Sequence, residues 1–132
     1  MKSKLIFGVT LIFLFRITFL YAQSKEKINN TSKPAVTFIE LGSVNCIPCK
    51  QMQPVMKSVE KKYGSQVKVI FYDVWKPEQK DYAKKYRIQL IPTQVFLDAN
   101  GKEFFRHEGF YPEKEIDKLL LSKGIKPNNV KE

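Results

Sequence analysis

The sequence predicts an α/β domain in which a central mixed β-sheet is flanked by helices on both faces. Three observations carry that reading. Short apolar runs alternate with stretches of helical apolar spacing along residues 34–124. An Asn100-Gly101 pair separates two of the runs, a strong hairpin signal. The two cysteines of the chain, Cys46 and Cys49, fall between the first apolar run and the first helical stretch.

Each element has its own warrant. Residues 35–41 read as a buried strand, and Gly42-Ser43-Val44-Asn45 as the loop that leads to the cysteines. A helix is expected over 46–63, because Met52, Val55, Met56 and Val59 recur at helical spacing and Gly64 follows as a terminator. Pro54 lies inside it and is expected to kink it, since proline removes a backbone donor. Residues 67–74 form the next strand, and Val69, Ile70, Phe71 and Val74 make it apolar enough to be central. A helix over 77–86 would carry Pro77 in its first turn. A strand over 92–97, a turn at Asp98-Ala99-Asn100-Gly101 and an antiparallel partner over 102–106 make a hairpin that Gly109 ends. Residues 111–123 close the domain as an amphipathic helix with Ile116, Leu119 and Leu120 inward and Gly124 at its end. Right-handed crossovers then place the cysteine loop at the carboxyl end of the first strand.

The first residues bear on compartment. Lys2 and Lys4 precede an apolar run over 5–15, and after Arg16 the chain reaches Leu20-Tyr21-Ala22 before the polar Gln23. This is the layout of a secretory signal peptide over 1–22, cut after Ala22. The alternative is a retained N-terminal anchor, since residues 5–22 are just long enough for a span of roughly 20 residues. No cysteine follows the run, which excludes a lipoprotein anchor. Residues 23–33 read as a polar linker, 34–124 as the folded domain and 125–132 as a loose C-terminal tail. An exported, periplasmic protein is expected, with an uncleaved leader holding it at the inner membrane as the other reading.

The chain of 132 residues is strongly basic, with 23 Lys and Arg against 13 Asp and Glu and a net charge of +10. Loss of the leader removes Lys2, Lys4 and Arg16 but no acid, so the domain stays basic. Its lysines are spread over several helices and mixed with acids, the pattern of solvated faces rather than of a nucleic-acid footprint. No nucleic-acid partner is expected, and the protein is expected to be a monomer.

Export gives the cysteines a meaning. In an oxidising compartment a thiol pair can persist as a disulfide. A bridge closing so short a loop restricts the unfolded chain little, so stabilisation explains it poorly. A helix beginning at or just before Cys46 supplies unpaired N–H groups and the positive dipole end, which favour thiolate over thiol. Cys46 is therefore the expected nucleophile. Cys49, one turn further in and more buried, would resolve the mixed disulfide.

Cys46-Ile47-Pro48-Cys49-Lys50, the helix proline Pro54, Ile91-Pro92-Thr93, Asn100-Gly101 and Gly109 together resemble the thioredoxin family, over residues 34–121. The resemblance implies the thioredoxin fold and thiol:disulfide oxidoreductase activity with no cofactor. It implies a cis Ile91–Pro92 bond beside the cysteines, with Ile91, Pro92, Thr93 and Pro48 at the substrate; an ordinary strand-start proline is the plainer reading of Pro92. Glu40 stands where the family has a buried Asp thought to pass a proton to or from the resolving cysteine. A carboxylate in an apolar strand is costly to bury and so tends to hold its proton. Glu40 is expected to be that proton carrier, or else to tip outward near the strand end and be solvated. The family's tryptophan before the first cysteine is replaced by Asn45, a second tryptophan-rich position by Gly42, and the sole tryptophan, Trp75, follows the second strand. Lys68 is merely near the place of the family's lysine partner to the buried acid. His107, the one histidine, is expected at the surface of a strand end, and Phe104, Phe105, Phe110 and Tyr111 in the core or its rim.

The function expected is an exported protein-disulfide reductase. Pro48 in the second intervening position and Ile91 before Pro92 resemble reducing members. Its substrates would be disulfide-containing proteins, apocytochrome c among them, and its electrons would come from a membrane carrier of the disulfide-interchange type, whose own hairpin the stretch 98–111 resembles. The alternative is a metal-binding or metal-delivery module, since Cys-X-X-Cys is half of many zinc sites. One chain offers two thiols and one distant histidine, short of a closed tetrahedral set. A purely structural or chaperone-like role is a third reading.

Overall fold

The computed structural model describes residues 33–128. The leader and most of the linker, with the last residues of the tail, lie outside the described residues. Along the chain come β1 (Val36–Gly42), α1 (Ile47–Tyr63), a short 3-10 turn (Gly64–Gln66), β2 (Val67–Asp73), α2 (Asp81–Lys85), β3 (Thr93–Asp98), β4 (Glu103–Glu108) and α3 (Glu113–Ser122). The strands make one mixed sheet in the order β2-β1-β3-β4. β1 runs parallel to β2 and antiparallel to β3, and β3 pairs antiparallel with β4.

The sheet has a core on each face. On one, Val36 and Phe38 of β1, Val67 of β2 and Phe96 of β3 meet Met52, Met56, Val59 and Tyr63 of α1 and Ile116 and Leu120 of α3. The Phe38 and Phe96 rings stack at 4.7 Å at its centre. On the other face Ile39, Leu41, Val74 and Val95 pack with Tyr82, Ala83 and Tyr86 from in and around α2. Alternation along β1 thus puts even-numbered residues under α1 and odd-numbered ones over α2. Glu40 and Gly42 belong to the even set.

Four expectations need correction. β2 is an edge strand among the described residues, not a central one. Its apolar run reflects helices covering both faces, which says nothing about neighbours at its sides; β2 is mostly half-buried where β1 is almost wholly buried. The helix expected over 77–86 shrinks to Asp81–Lys85. Before it the chain makes successive i to i+3 turns, Lys76 N to Asp73 O and Gln79 N to Lys76 O, while the Gln79 side chain takes the Asp73 N–H. The second hairpin strand extends to Glu108 before Gly109 ends it. The start of the tail is not loose. Gly124, with φ at +78°, lets Ile125 N reach Leu120 O and Gly124 N reach Leu121 O, a Schellman closure. That closure turns Ile125 into the core at 6% exposure, and Asn128 N then bonds Lys62 O.

Candidate functional site

β1 ends at Gly42, and the chain turns through Ser43, Val44 and Asn45 into α1. Ser43 is buried and shapes the turn: its Oγ accepts from Asn45 N at 3.2 Å and its carbonyl from Cys46 N at 3.2 Å. Asp73, at the end of the neighbouring strand, pins the same loop. Its Oδ2 accepts from Val44 N at 3.4 Å and its Oδ1 from Trp75 N at 3.2 Å.

Cys46 is the N-cap of α1, with extended backbone, and its Sγ accepts from Cys49 N at 3.4 Å. A sulfur thus occupies the place of the usual capping oxygen. The first turn contains Pro48 and no acidic residue, so the positive helix end acts on Cys46 without a competing carboxylate. Cys46 and Cys49 are joined by a disulfide, their Cα atoms 5.2 Å apart. Cys46 keeps 9% exposure and Cys49 none, so an incoming group meets Cys46 first. Beneath them Gly42 is bare for a reason: a Cβ there would stand 3.1 Å from Cys49 Sγ and 3.2 Å from its Cβ.

Glu40 lies two residues before Gly42 on the same strand face, about 7 Å along β1. It is fully buried, which overturns the solvated reading. Burial pushes its pKa up to about 8, against a smaller downward pull from a hydrogen bond to Gln94. Lys68 is exposed and stands opposite Thr37, away from Glu40. The partner that the structure gives Glu40 is Gln94, whose Nε2 donates to Glu40 Oε2 at 3.0 Å.

The Ile91–Pro92 bond is cis. Thr93 stands opposite Leu41, so Pro92 falls beside the end of β1 where the cysteine loop departs. Pro92 O accepts from Gly109 N at 2.8 Å. Thr93 is fully buried, has a ladder partner on each side, and spends its hydroxyl on Leu90 O at 2.6 Å. Its side chain therefore closes the turn; Pro92 is buried as well, and the accessible part of the segment is Leu90, exposed, and Ile91, half-buried. Pro48 is exposed on the first turn of α1. His107 is half-buried in β4, stacked on Tyr111 at 4.4 Å with Nε2 at 3.2 Å from Phe110 O. Phe104, Phe105 and Tyr111 pack against the core, while Phe110 is exposed.

A family model described as a thioredoxin-like domain matches residues 21–123. The chain belongs to the thioredoxin family. It is 30% identical to a thioredoxin of Borreliella burgdorferi over 84 residues, 64% of this chain and 68% of that one. It is 31% identical to a thioredoxin of Bacillus subtilis over 75 residues, 57% and 69% of the two chains. Among solved structures, a thioredoxin from Nicotiana alata aligns with a TM-score of 0.58 at 29% identity, covering 70% of this chain and 76% of that one. A mutant thioredoxin from Halobacterium salinarum aligns with a TM-score of 0.60 over 70% and 77% of the chains; at 24% identity it bears on the fold alone. Family and cysteine pair together make this thioredoxin-like protein a thiol:disulfide oxidoreductase.

Three residues of the site go beyond the sequence reading in part or whole. Asp73 closes β2 and Gln94 is the second residue of β3, and a polar residue set against apolar neighbours is the one local signal for either. Gly42 stands out in the sequence as a missing tryptophan, whereas its packing role follows from a contact with Cys49 that sequence spacing does not reveal.

Proposed function

We propose that this protein is an exported reductase of protein disulfides working by dithiol exchange through Cys46 and Cys49. The Cys46 thiolate attacks one sulfur of a substrate disulfide. That bond breaks, a Cys46–substrate mixed disulfide forms, and the other substrate sulfur leaves as a thiolate. Cys49 then gives its proton to Glu40 and attacks Cys46 Sγ, releasing the second substrate sulfur. The substrate gains two electrons, and the protein is left as the Cys46–Cys49 disulfide with Glu40 protonated. A carboxyl whose pKa lies near 8 suits that duty, since that value is close to a thiol's ordinary one, so the ionised carboxylate can take the proton from Cys49 and return it when the bridge is reduced again.

The observation that carries the reading is Cys46 Sγ at the N-cap of an acid-free first helical turn, bonded to a wholly buried Cys49. Protein substrates are favoured by the apolar side chains exposed on segments around the pair: Val44, Ile47, Trp75, Leu90 and Phe110. Disulfide-containing exported proteins are the substrate class, apocytochrome c among them, with a membrane carrier of the disulfide-interchange type as electron donor. The leader supports export to the periplasm, cleaved or held at the inner membrane. Among the described residues no three His, Cys, Asp or Glu side chains are grouped to hold an ion, so the metal reading would need ligands from outside them, such as a second copy of the chain.

Reduction of insulin by a dithiol is the test. Cys46→Ser is expected to abolish turnover, and Cys49→Ser to accumulate a mixed disulfide visible by mass spectrometry. Full turnover in the double serine variant would defeat the proposal. Equilibration of the pair against glutathione sets the direction, because each 30 mV corresponds to roughly 1.4 kcal/mol.

A further inference from the structure

We propose that Gln94 is a positioning residue of this reaction: it holds the Glu40 carboxyl by Oε2 and leaves Oε1 to carry the proton. The inference rests on the role given to Glu40 above. Gln94 stands directly opposite Glu40 in the antiparallel pairing of β1 and β3, one same-face step from the stacked Phe38 and Phe96. Both Glu40 and Gln94 are fully buried.

The amide has one workable orientation. Nε2 donates to Glu40 Oε2 at 3.0 Å and to Gly109 O at 3.0 Å, which uses both of its protons. Turned over, it would set its carbonyl against the Gly109 carbonyl and lose that bond. Gly109 N in turn bonds Pro92 O, so the same residue joins Glu40 to the segment that carries Pro92. Oε1 of Glu40 is buried and has no hydrogen-bond partner among the described residues. Of the two carboxyl oxygens, that is the one free to take up or release a proton.

A neutral donor here differs in kind from a cation. An amide donates to the carboxyl in either protonation state, more strongly to the ionised one. It therefore tempers the effect of burial without fixing the group as a carboxylate. Other titratable groups that the sheet brings near are otherwise engaged. Asp73 of β2 accepts from Val44 and Trp75, and His107, opposite Gln94 on β4, stacks on Tyr111. Glu113 and Asp117 of α3 are tied to Lys62, and the cysteines of α1 are bonded to each other. The residue of β2 opposite Glu40 is Phe71, which carries no charge.

The test uses the full chain in its disulfide form, with Gln94→Met and Gln94→Leu as apolar replacements of similar volume; either variant that folds suffices. The carboxyl 13C shift of Glu40 is followed through pH, and the rate at which dithiothreitol reduces the bridge is measured over the same range. Loss of the amide is expected to raise the Glu40 midpoint by about one to two pH units, a roughly ten- to hundredfold change in proton affinity. Once the rate is divided by the thiolate fraction of dithiothreitol, the remaining inflection is expected to move by the same amount and to vanish in Glu40→Gln. A midpoint unmoved by loss of Gln94 overturns the positioning role while leaving Glu40 as the carrier. An inflection that persists in Glu40→Gln overturns the role of Glu40 and this inference with it.

Discussion

Gly42 is bare where Cys49 packs: a methyl group on its backbone would stand 3.1 Å from the Cys49 sulfur and 3.4 Å from Phe71 Cε2. Neither neighbour is the loose end of a flexible chain, since Cys49 is held in the bridge and within α1. Gly42→Ala is thus expected to destabilise the oxidised protein by about 1–3 kcal/mol through overpacking. Urea unfolding checks the value. Reduction of the bridge frees Cys49 to shift, so the penalty should be smaller in the reduced protein, and equal penalties in the two forms would argue against the contact as its cause.

Stability depends on pH through Glu40. Glu40 rises from an ordinary value of 4.5 to about 8 in the folded chain because burial disfavours its charged form. Between those values the folded state holds a proton that the unfolded state has lost. Stability is therefore full below about pH 4.5 and falls as pH rises toward 8, by up to roughly 1.4 kcal/mol per unit. Glu40→Gln, whose amide oxygen still accepts from Gln94, is expected to abolish that fall and to be the more stable protein at pH 8. Comparing the two proteins cancels other carboxylates, such as Glu103, which Arg106 holds below its usual range. Denaturant titrations at pH 5 and 8 decide it, and parallel curves would mean Glu40 ionises as freely folded as unfolded.

Asp73 ties two loops of the site to one carboxylate, and graded substitution should separate its two bonds. Asp73→Ala removes the acceptors of both Val44 N and Trp75 N. A loss of about 1–3 kcal/mol is expected, with faster amide exchange at both positions. Asp73→Asn keeps one acceptor and presents a donor to the other N–H. Exchange should then rise at one amide and not the other; unchanged exchange at both would remove Asp73 as the pin.

How much of the fold and site is legible in the sequence depends on the range of the contact involved. Cys46 on a strand-to-helix turn, Gly64 as a helix end and Asn100-Gly101 as a hairpin are local, and each is visible in a few residues. The Glu40–Gln94 pair spans 54 positions and exists because β1 and β3 pair in one register out of several. Nothing in the residues around Glu40 points to Gln94. The placement of β2 fails for a related reason, because an apolar run reports covered faces and not the count of neighbouring strands. Pro77 suggests a helix start, but the Gln79 side chain captures the Asp73 N–H and favours turns there. Ile125 reads as tail because Gly124 ends the helix, yet the same glycine folds Ile125 back into the core.

Trp75 tests whether the apolar surface around the bridge receives protein chains. It is 61% exposed, and it follows Val74, whose N–H bonds Gly42 O beside the cysteine loop. Its side chain fills no core position, so Trp75→Ala should change stability by no more than about 0.5 kcal/mol. A large aromatic at a docking surface commonly carries more than 1 kcal/mol of binding. The KM for insulin is accordingly expected to rise by about tenfold, the equivalent of roughly 1.4 kcal/mol. Hydroxyethyl disulfide is too small to reach beyond Cys46, and its rate of reduction should be unchanged. Equal losses with both substrates would instead assign Trp75 to holding the Asp73-pinned loop, because a disturbed Cys46 slows every substrate alike.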